Sequence, residues 1–206
     1  MTLEELEARI QTIEDIEAIK KLQRAYCYYL EHWQDEEIIS LWSQSPDVSV
    51  EIGDSGFYKG KEGVIEFFTY SSHFFTSESK PPPEFLHLLM PLAGIVDVDP
   101  DGKTAKGRWY GLGHMAIPRK GKARAIISSG IWENEYVKED GKWKFKKLLF
   151  YTIFGTPFED SWVKTSHFER PIPLAKRPPP SAKNIAAAYP SGYVFPYHYK
   201  NPVTGK

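Results

Sequence analysis

Sulfur is scarce in this sequence. Cys27 is the single cysteine, so no internal disulfide can form, which fits a reducing compartment. No run approaches the roughly 18 apolar residues of a membrane span. The first residues are acidic and amphipathic, unlike the basic and then apolar pattern of a signal segment. The expected location is cytoplasmic, with no membrane partner. Excess charge is missing as well: Lys and Arg number 26, Asp and Glu 27, for a net charge of −1. That balance supplies no basic field for nucleic acid. Cys27, His32, His73, His87, His114, His167 and His198 show no HxH, HExxH or CxxC spacing, so no metal is expected. There is no P-loop and no GxGxxG. Gly111-Leu112-Gly113 lies inside a strand-like run and is not a phosphate loop. No cofactor is expected.

What the chain has in abundance is rings: 6 Trp, 12 Tyr and 12 Phe. Many fall in one stretch, 104–154, where three strand-like runs follow one another: Thr104–Ala116, Arg124–Lys138 and Lys142–Phe154. Aromatic and β-branched residues suit a pleated, half-buried surface. Asp140-Gly141 marks a hairpin between the last two runs. The pattern predicts an antiparallel meander. At period two, Gly107, Trp109, Gly111 and Gly113 share a face of the first run, and Gly130, Trp132, Asn134 and Tyr136 share a face of the second. Glycines in long strands leave room or permit sharp bending. The two faces read as a pocket wall or as a bent sheet packed on a helix.

Ahead of the meander, residues 2–32 read as helix, with Thr2 and Glu5 as a capping box and a possible restart at Asp15 after a break near Thr12. Leu3, Leu6, Ile10, Ile13, Ile16, Ile19 and Leu22 form one apolar stripe, continued by Tyr26, Tyr29, Leu30 and Trp33. A short helix is expected at Glu36–Ser43, a strand at Val48–Ile52, a returning strand at Phe57–Lys59 and a helix at Glu62–Thr69. Residues 76–84 contain Pro81-Pro82-Pro83 and read as loop, and Phe85–Asp99 as a strand. Residues 157–206 differ in composition, with 9 of the 16 prolines and seven basic against three acidic residues. Phe158, Trp162, Phe168, Tyr189, Tyr193, Val194, Phe195, Tyr197 and Tyr199 are too apolar for free solution. The expectation is an extended arm laid over its own barrel or a neighbouring subunit.

Helix pair, short hairpin, helix and long meander is the element order of the NTF2-like cone, and the local residues resemble its SnoaL-like group. These are Asp15-Ile16-Glu17-Ala18-Ile19 with Tyr26, Gly60 before the third helix, His87 opening a strand, Gly107-Arg108-Trp109-Tyr110 and Asp140-Gly141-Lys142-Trp143. The resemblance covers roughly residues 10–155. It implies an α+β fold, a curved antiparallel sheet wrapped around N-terminal helices, with residues 1–156 as the domain and 157–206 as a C-terminal extension. Asp15–Lys20, Tyr26, His87 and Gly-Arg-Trp-Tyr further resemble the bile-acid 7α-dehydratase type. That likeness implies a working Tyr26–His87 pair with Glu31 as the acid. The chain departs from that group near Gly113, where an acid is missing, and near Thr152, where an arginine is missing. The aromatic lining and long tail also resemble the cofactor-independent lyases that convert lignin-derived diarylpropanes to stilbenes with loss of formaldehyde.

Cofactor-free elimination needs an acid or base poised near neutrality in a dry pocket. His87 has the side-chain type for that task, and Tyr26 can donate to a leaving hydroxyl or orient the imidazole. Glu31 lies five residues past Tyr26, about 140° further round a helix, so it shares Tyr26's side only where the helix ends. Trp109 and Trp132 suit aromatic stacking, and Asn134 suits a phenol or carbonyl oxygen or a backbone group. His114, Lys147 and Tyr151 are further candidates for substrate contact. Lys147 falls on the face of Trp143, Phe145, Leu149 and Tyr151, with Leu148 and Phe150 on the other. The expected partner is a hydrophobic aromatic small molecule. Leu148 and Phe150, read as outward, and the aromatic tail point to a homo-oligomer, dimer or trimer. The rival readings are a dehydratase or ketosteroid-isomerase-like isomerase of a polycyclic substrate, and a non-catalytic small-molecule binder.

Overall fold

The computed structural model describes residues 1–71, 73, 79–119, 122–166, 178–181 and 187–206. Expectations for residues 76–78, the 120–121 turn, His167 and Phe168 lie outside that set. Helix α1, Leu3–Glu31, opens with the expected capping box: Glu5 N donates to Thr2 Oγ1 and Thr2 N to Glu5 Oε2. It does not break at Thr12, whose hydroxyl bonds back to Ala8 O at 3.0 Å. Asp15 restarts nothing; it is buried and anchors the sheet. A left-handed residue, Trp33 (φ 53°), turns the chain into α2, Asp35–Ser40. Strands β1, Ser49–Ile52, and β2, Phe57–Lys59, form the short hairpin. Helix α3, Gly60–Glu66, runs into a π-helical turn, Phe67–Ser71. Four long strands follow: β3, Leu86–Val98; β4, Thr104–Arg119; β5, Lys122–Glu139; and β6, Lys142–Pro157.

The sheet order is β2-β1-β6-β5-β4-β3. All neighbours are antiparallel except β1 and β6, which pair in parallel because β1 closes the meander after a helical crossover. The helices cover one face, and the sheet curves around them. Ile19, Leu22, Tyr26, Cys27 and Leu30 of α1 join Trp42, Val50, Phe68, Trp109, Trp132, Tyr136, Phe145, Leu148 and Phe150 in the core. Asp15 ties helix to hairpin: its carboxylate accepts from Trp143 Nε1 at 2.8 Å and pairs with Lys138 Nζ at 2.7 Å.

The glycines make room for rings of the protein itself. A Cβ at Gly111 would sit 2.6 Å from Phe150 and 2.8 Å from Trp132, and one at Gly107 2.9 Å from Tyr136. One at Gly94, in the β3 bulge between Leu92 and Ile95, would strike Trp109. A second bulge corrects the reading of β6. Glu135 pairs with Lys147 but Tyr136 with Phe145, so Lys146 is an extra residue. Beyond it the alternation flips. Leu148 and Phe150 point inward and are buried, while Lys147, Leu149 and Tyr151 point outward.

The described part of the arm lies across the outer face of the chain's own sheet. Ser181 N donates to Glu51 Oε1 of β1, and Tyr189 N to Ile153 O of β6 at 2.7 Å. Ala187 and Phe195 pack on Ile131 and Tyr151. Arg108 of β4 pairs with Glu133 of β5, donates to Pro196 O and lies over the Tyr197 ring at 4.7 Å. His198 sits between Asp97 and Glu133, 3.3 Å from each. Phe158, Trp162, Val194 and Tyr197 remain exposed.

Gly111→Ala should cost about 1–3 kcal/mol by overpacking, read from the urea midpoint. A second test concerns Asp15. Burial alone would raise its pKa, but the hydrogen bonds from Lys138 and Trp143 outweigh that and hold it below the ordinary carboxylate value. A depressed folded pKa contributes stability above the unfolded value and loses it as pH falls. Asp15→Asn should therefore cost about 1.5–3 kcal/mol at neutral pH, the scale of a hydrogen bond to a charged group, with the deficit shrinking at pH 3.

Candidate active site

Trp109 and Trp132 sit directly opposite on β4 and β5, so their side chains share the face toward α1. Tyr26 projects from α1 onto the same interior, edge-on to Phe68 at 6.0 Å and Phe145 at 5.6 Å. Trp42 packs on both of those rings.

The polar groups in this interior fall into two sets. The first is satisfied. Asn134 Nδ2 donates to Gln23 Oε1 at 2.8 Å and to Tyr136 Oη at 3.2 Å, and its Oδ1 accepts from Leu149 N at 3.2 Å. Trp109 Nε1 donates to Tyr136 Oη at 3.2 Å. Burial raises the Tyr136 pKa, so its phenol stays neutral. Of the two roles expected for Asn134, the structure gives it the backbone one, and its amide is fully engaged. Cys27 is no nucleophile: burial first, and then the Glu31 charge, push its thiol up.

The second set is unsatisfied. Tyr26 Oη, Trp132 Nε1 and Trp42 Nε1 are buried without a hydrogen-bond partner among the described residues. Tyr26 is 0% exposed, and burial drives its pKa well above the ordinary phenol value, with Cys27 adding a smaller push. It is therefore a neutral hydrogen-bond donor and not a phenolate base. Leaving buried polar atoms unpaired costs about 1–3 kcal/mol each, and such atoms collect where a ligand supplies the missing partner.

His87 and Leu89 lie on the same face of β3, against which α1 packs. Glu31 is the last residue of α1, and its Oε1 accepts from Leu89 N at 2.9 Å. It is thus held at the edge strand, on the stretch that carries His87, and is not a solvated helix-end charge. His87 touches the Phe85 ring edge-on at 6.2 Å. Phe85 in turn meets Trp33 at 5.0 Å, and Trp33 stacks on His73 at 4.4 Å. His73 is buried with its Nε2 2.8 Å from Asp35 Oδ1. No local pattern marks this His73–Asp35 pair, whose members are separated by 38 residues with no spacing motif.

Three expected contacts lie elsewhere. His114 is five residues past Trp109 in an unbulged strand, so it faces outward. Lys147 is on the outer face, paired with Glu135 at 2.9 Å. Tyr151 is outward too, covered by Phe195 of the arm. The structure therefore gathers Tyr26, Trp109, Trp132 and Asn134 in the interior and places Glu31 beside the His87 stretch. It separates off His114, Lys147 and Tyr151. Among the described residues no group of three His, Cys, Asp or Glu could hold a metal ion, and no helix is long and apolar enough to cross a membrane.

Residues 11–148 match the model of the SnoaL-like domain. The chain belongs to the SnoaL-like family. Its fold is the NTF2-like cone of solved structures with low sequence identity. One is the type-3 hexachlorocyclohexane dehydrochlorinase LinA of Novosphingobium barchaimii, at 18% identity and TM-score 0.60, over 78% of this chain and 98% of that one. A scytalone dehydratase-like protein of Novosphingobium aromaticivorans matches at 18% identity and TM-score 0.58, over 74% and 93%. An NTF2-like protein with a cystatin-like fold from the same organism matches at 18% and 0.53, over 79% and 94%. The SnoaL-like match ends before the arm, which begins beyond β6.

Asn134→Ala should lower stability by about 1–3 kcal/mol, since it strands Leu149 N and takes one donor each from Gln23 Oε1 and Tyr136 Oη, which keep their bond to each other at 3.3 Å. Chemical denaturation measures it, and near-UV circular dichroism should report the loosened Trp109–Tyr136 contact.

Proposed function

We propose that the protein is a lyase that eliminates an oxygen leaving group from a hydrophobic aromatic small molecule without a cofactor. The observation that carries this reading is the Tyr26 hydroxyl: wholly buried, neutral, without a partner among the described residues and ringed by aromatic side chains. In the proposed step His87 takes a proton from the substrate, and the C–O bond breaks with its electrons passing to oxygen. Tyr26, aided by Trp132 Nε1, donates a hydrogen bond to that oxygen. The imidazolium then returns its proton to the departing hydroxide, which leaves as water. Glu31 stabilises the imidazolium from the end of α1. The fold relatives support the reaction class, since one is described as a dehydrochlorinase and another resembles a dehydratase.

The finer reading is a diarylpropane diol of lignin origin. Loss of the benzylic hydroxyl gives a quinone methide. Deprotonation of the primary hydroxyl then breaks the C–C bond, releases formaldehyde and returns the electron pair to the ring, leaving a stilbene and water. The abundance of rings in the interior supports an aromatic substrate. A second reading, a carrier that binds such a molecule without transforming it, draws on how fully the protein's own rings occupy the glycine face.

Tyr26→Phe separates these readings. Removing an unpartnered buried hydroxyl should leave stability unchanged or raise it by up to about 1 kcal/mol, while turnover of a phenolic diol falls at least tenfold. His87→Ala should lower turnover by about 10²–10⁴. Formaldehyde trapping and stilbene absorbance follow the reaction. Binding without product formation by the wild type establishes the carrier reading instead.

A further inference from the structure

The first three turns of α1 carry apolar side chains that no described residue covers. Leu3, Leu6, Ile10 and Ile13 are 71%, 39%, 48% and 62% exposed, and every residue from Leu3 to Glu14 is exposed. At 100° per residue these four lie within about 80° of one another. Their mean direction is about 150° round the helix from that of Ile19, Leu22, Gln23, Tyr26, Cys27 and Leu30, which enter the core. What reads in the sequence as one stripe is two, facing opposite ways. Among the described residues nothing covers the outer one. A projecting helix of this length is marginal in water on its own.

The spacing 3, 6, 10, 13 is that of heptad positions a, d, a, d. Arg9 then falls at a g position and Glu14 at the following e position. In a parallel pair, g of one helix meets e five residues on in the other, so Arg9 faces Glu14 of the second copy on both sides. In an antiparallel pair Glu7 would meet Glu7 and Arg9 would meet Arg9. Charge therefore selects one arrangement. We infer that residues 3–14 form a parallel coiled-coil seam with the same segment of a second copy of this chain. Four apolar side chains from each helix fall short of the roughly 800 Å² per partner of a stable interface, so the seam dissociates at micromolar concentration. This pairing stands apart from the catalytic reading, because none of its residues enters the interior.

Sedimentation equilibrium from about 1 to 100 µM tests it. The wild type should associate reversibly. Ile10→Glu should shift the dissociation constant at least tenfold toward monomer while near-UV circular dichroism of the domain stays unchanged. Arg9→Glu and Glu14→Arg should each weaken association about 2–5-fold, the scale of exposed ion pairs, and the double variant should restore it. A monomeric wild type, or an Ile10→Glu protein of unchanged mass, overturns the seam. Failure of the double variant to recover overturns the parallel register.

Discussion

One extra residue in β6 sets the interior. Because Lys146 has no opposite number on β5, the strand reverses its faces between Phe145 and Leu148. Phe145 stays against Tyr26, and Leu148 and Phe150 come inside behind it. On the same strand Leu149 N donates to Asn134, whose amide reaches across to Gln23 on α1. Helix and sheet are thus joined by a polar contact close to the interruption in the ladder. A strand without the bulge would present Lys147 and Tyr151 to the core and Leu148 and Phe150 to solvent.

That interruption also marks the limit of what the sequence shows. The element order, the capping box at Thr2, the shared faces of β4 and β5 and the SnoaL-like membership are legible, because each rests on local pattern. The faces of β6 beyond Lys146 are not, since period-two alternation carries no mark of an inserted residue. The stripe of α1 was half legible. Three- and four-residue spacing continues from Leu3 to Leu22, but drift round the helix carries its two halves to opposite sides. Gly107, Gly111 and Gly130 could be read as space, but only the fold shows that Tyr136, Trp132 and Phe150 take it up, and that Gly94 does the same for Trp109.

The candidate site follows the same division. Tyr26 could be placed inward from the helical period, whereas only the fold puts His87 on the face of β3 against which α1 packs. Glu31 was ambiguous because a helical wheel assumes the helix continues. It ends there, and the turn at Trp33 lets the carboxylate reach the exposed edge of β3. His73 and Asp35 escaped notice because nothing local connects them. The arrangement concentrates neutral donors in the deep interior and titratable groups toward β3 and the α1 terminus.

The described part of the arm makes contacts on β1, β6, β5, β4 and β3. Its contacts run in spatial order, from Glu51 on β1 through Ile153 on β6 to Arg108, Glu133 and Asp97 on β4, β5 and β3. It lies on the convex side, where tighter curling lengthens the path between edges and flattening shortens it. A strap so placed can carry load only as a tie, in tension. It opposes collapse of the cone onto the helices while leaving the sheet free to open, and so sets a lower limit on the volume the concave side can enclose.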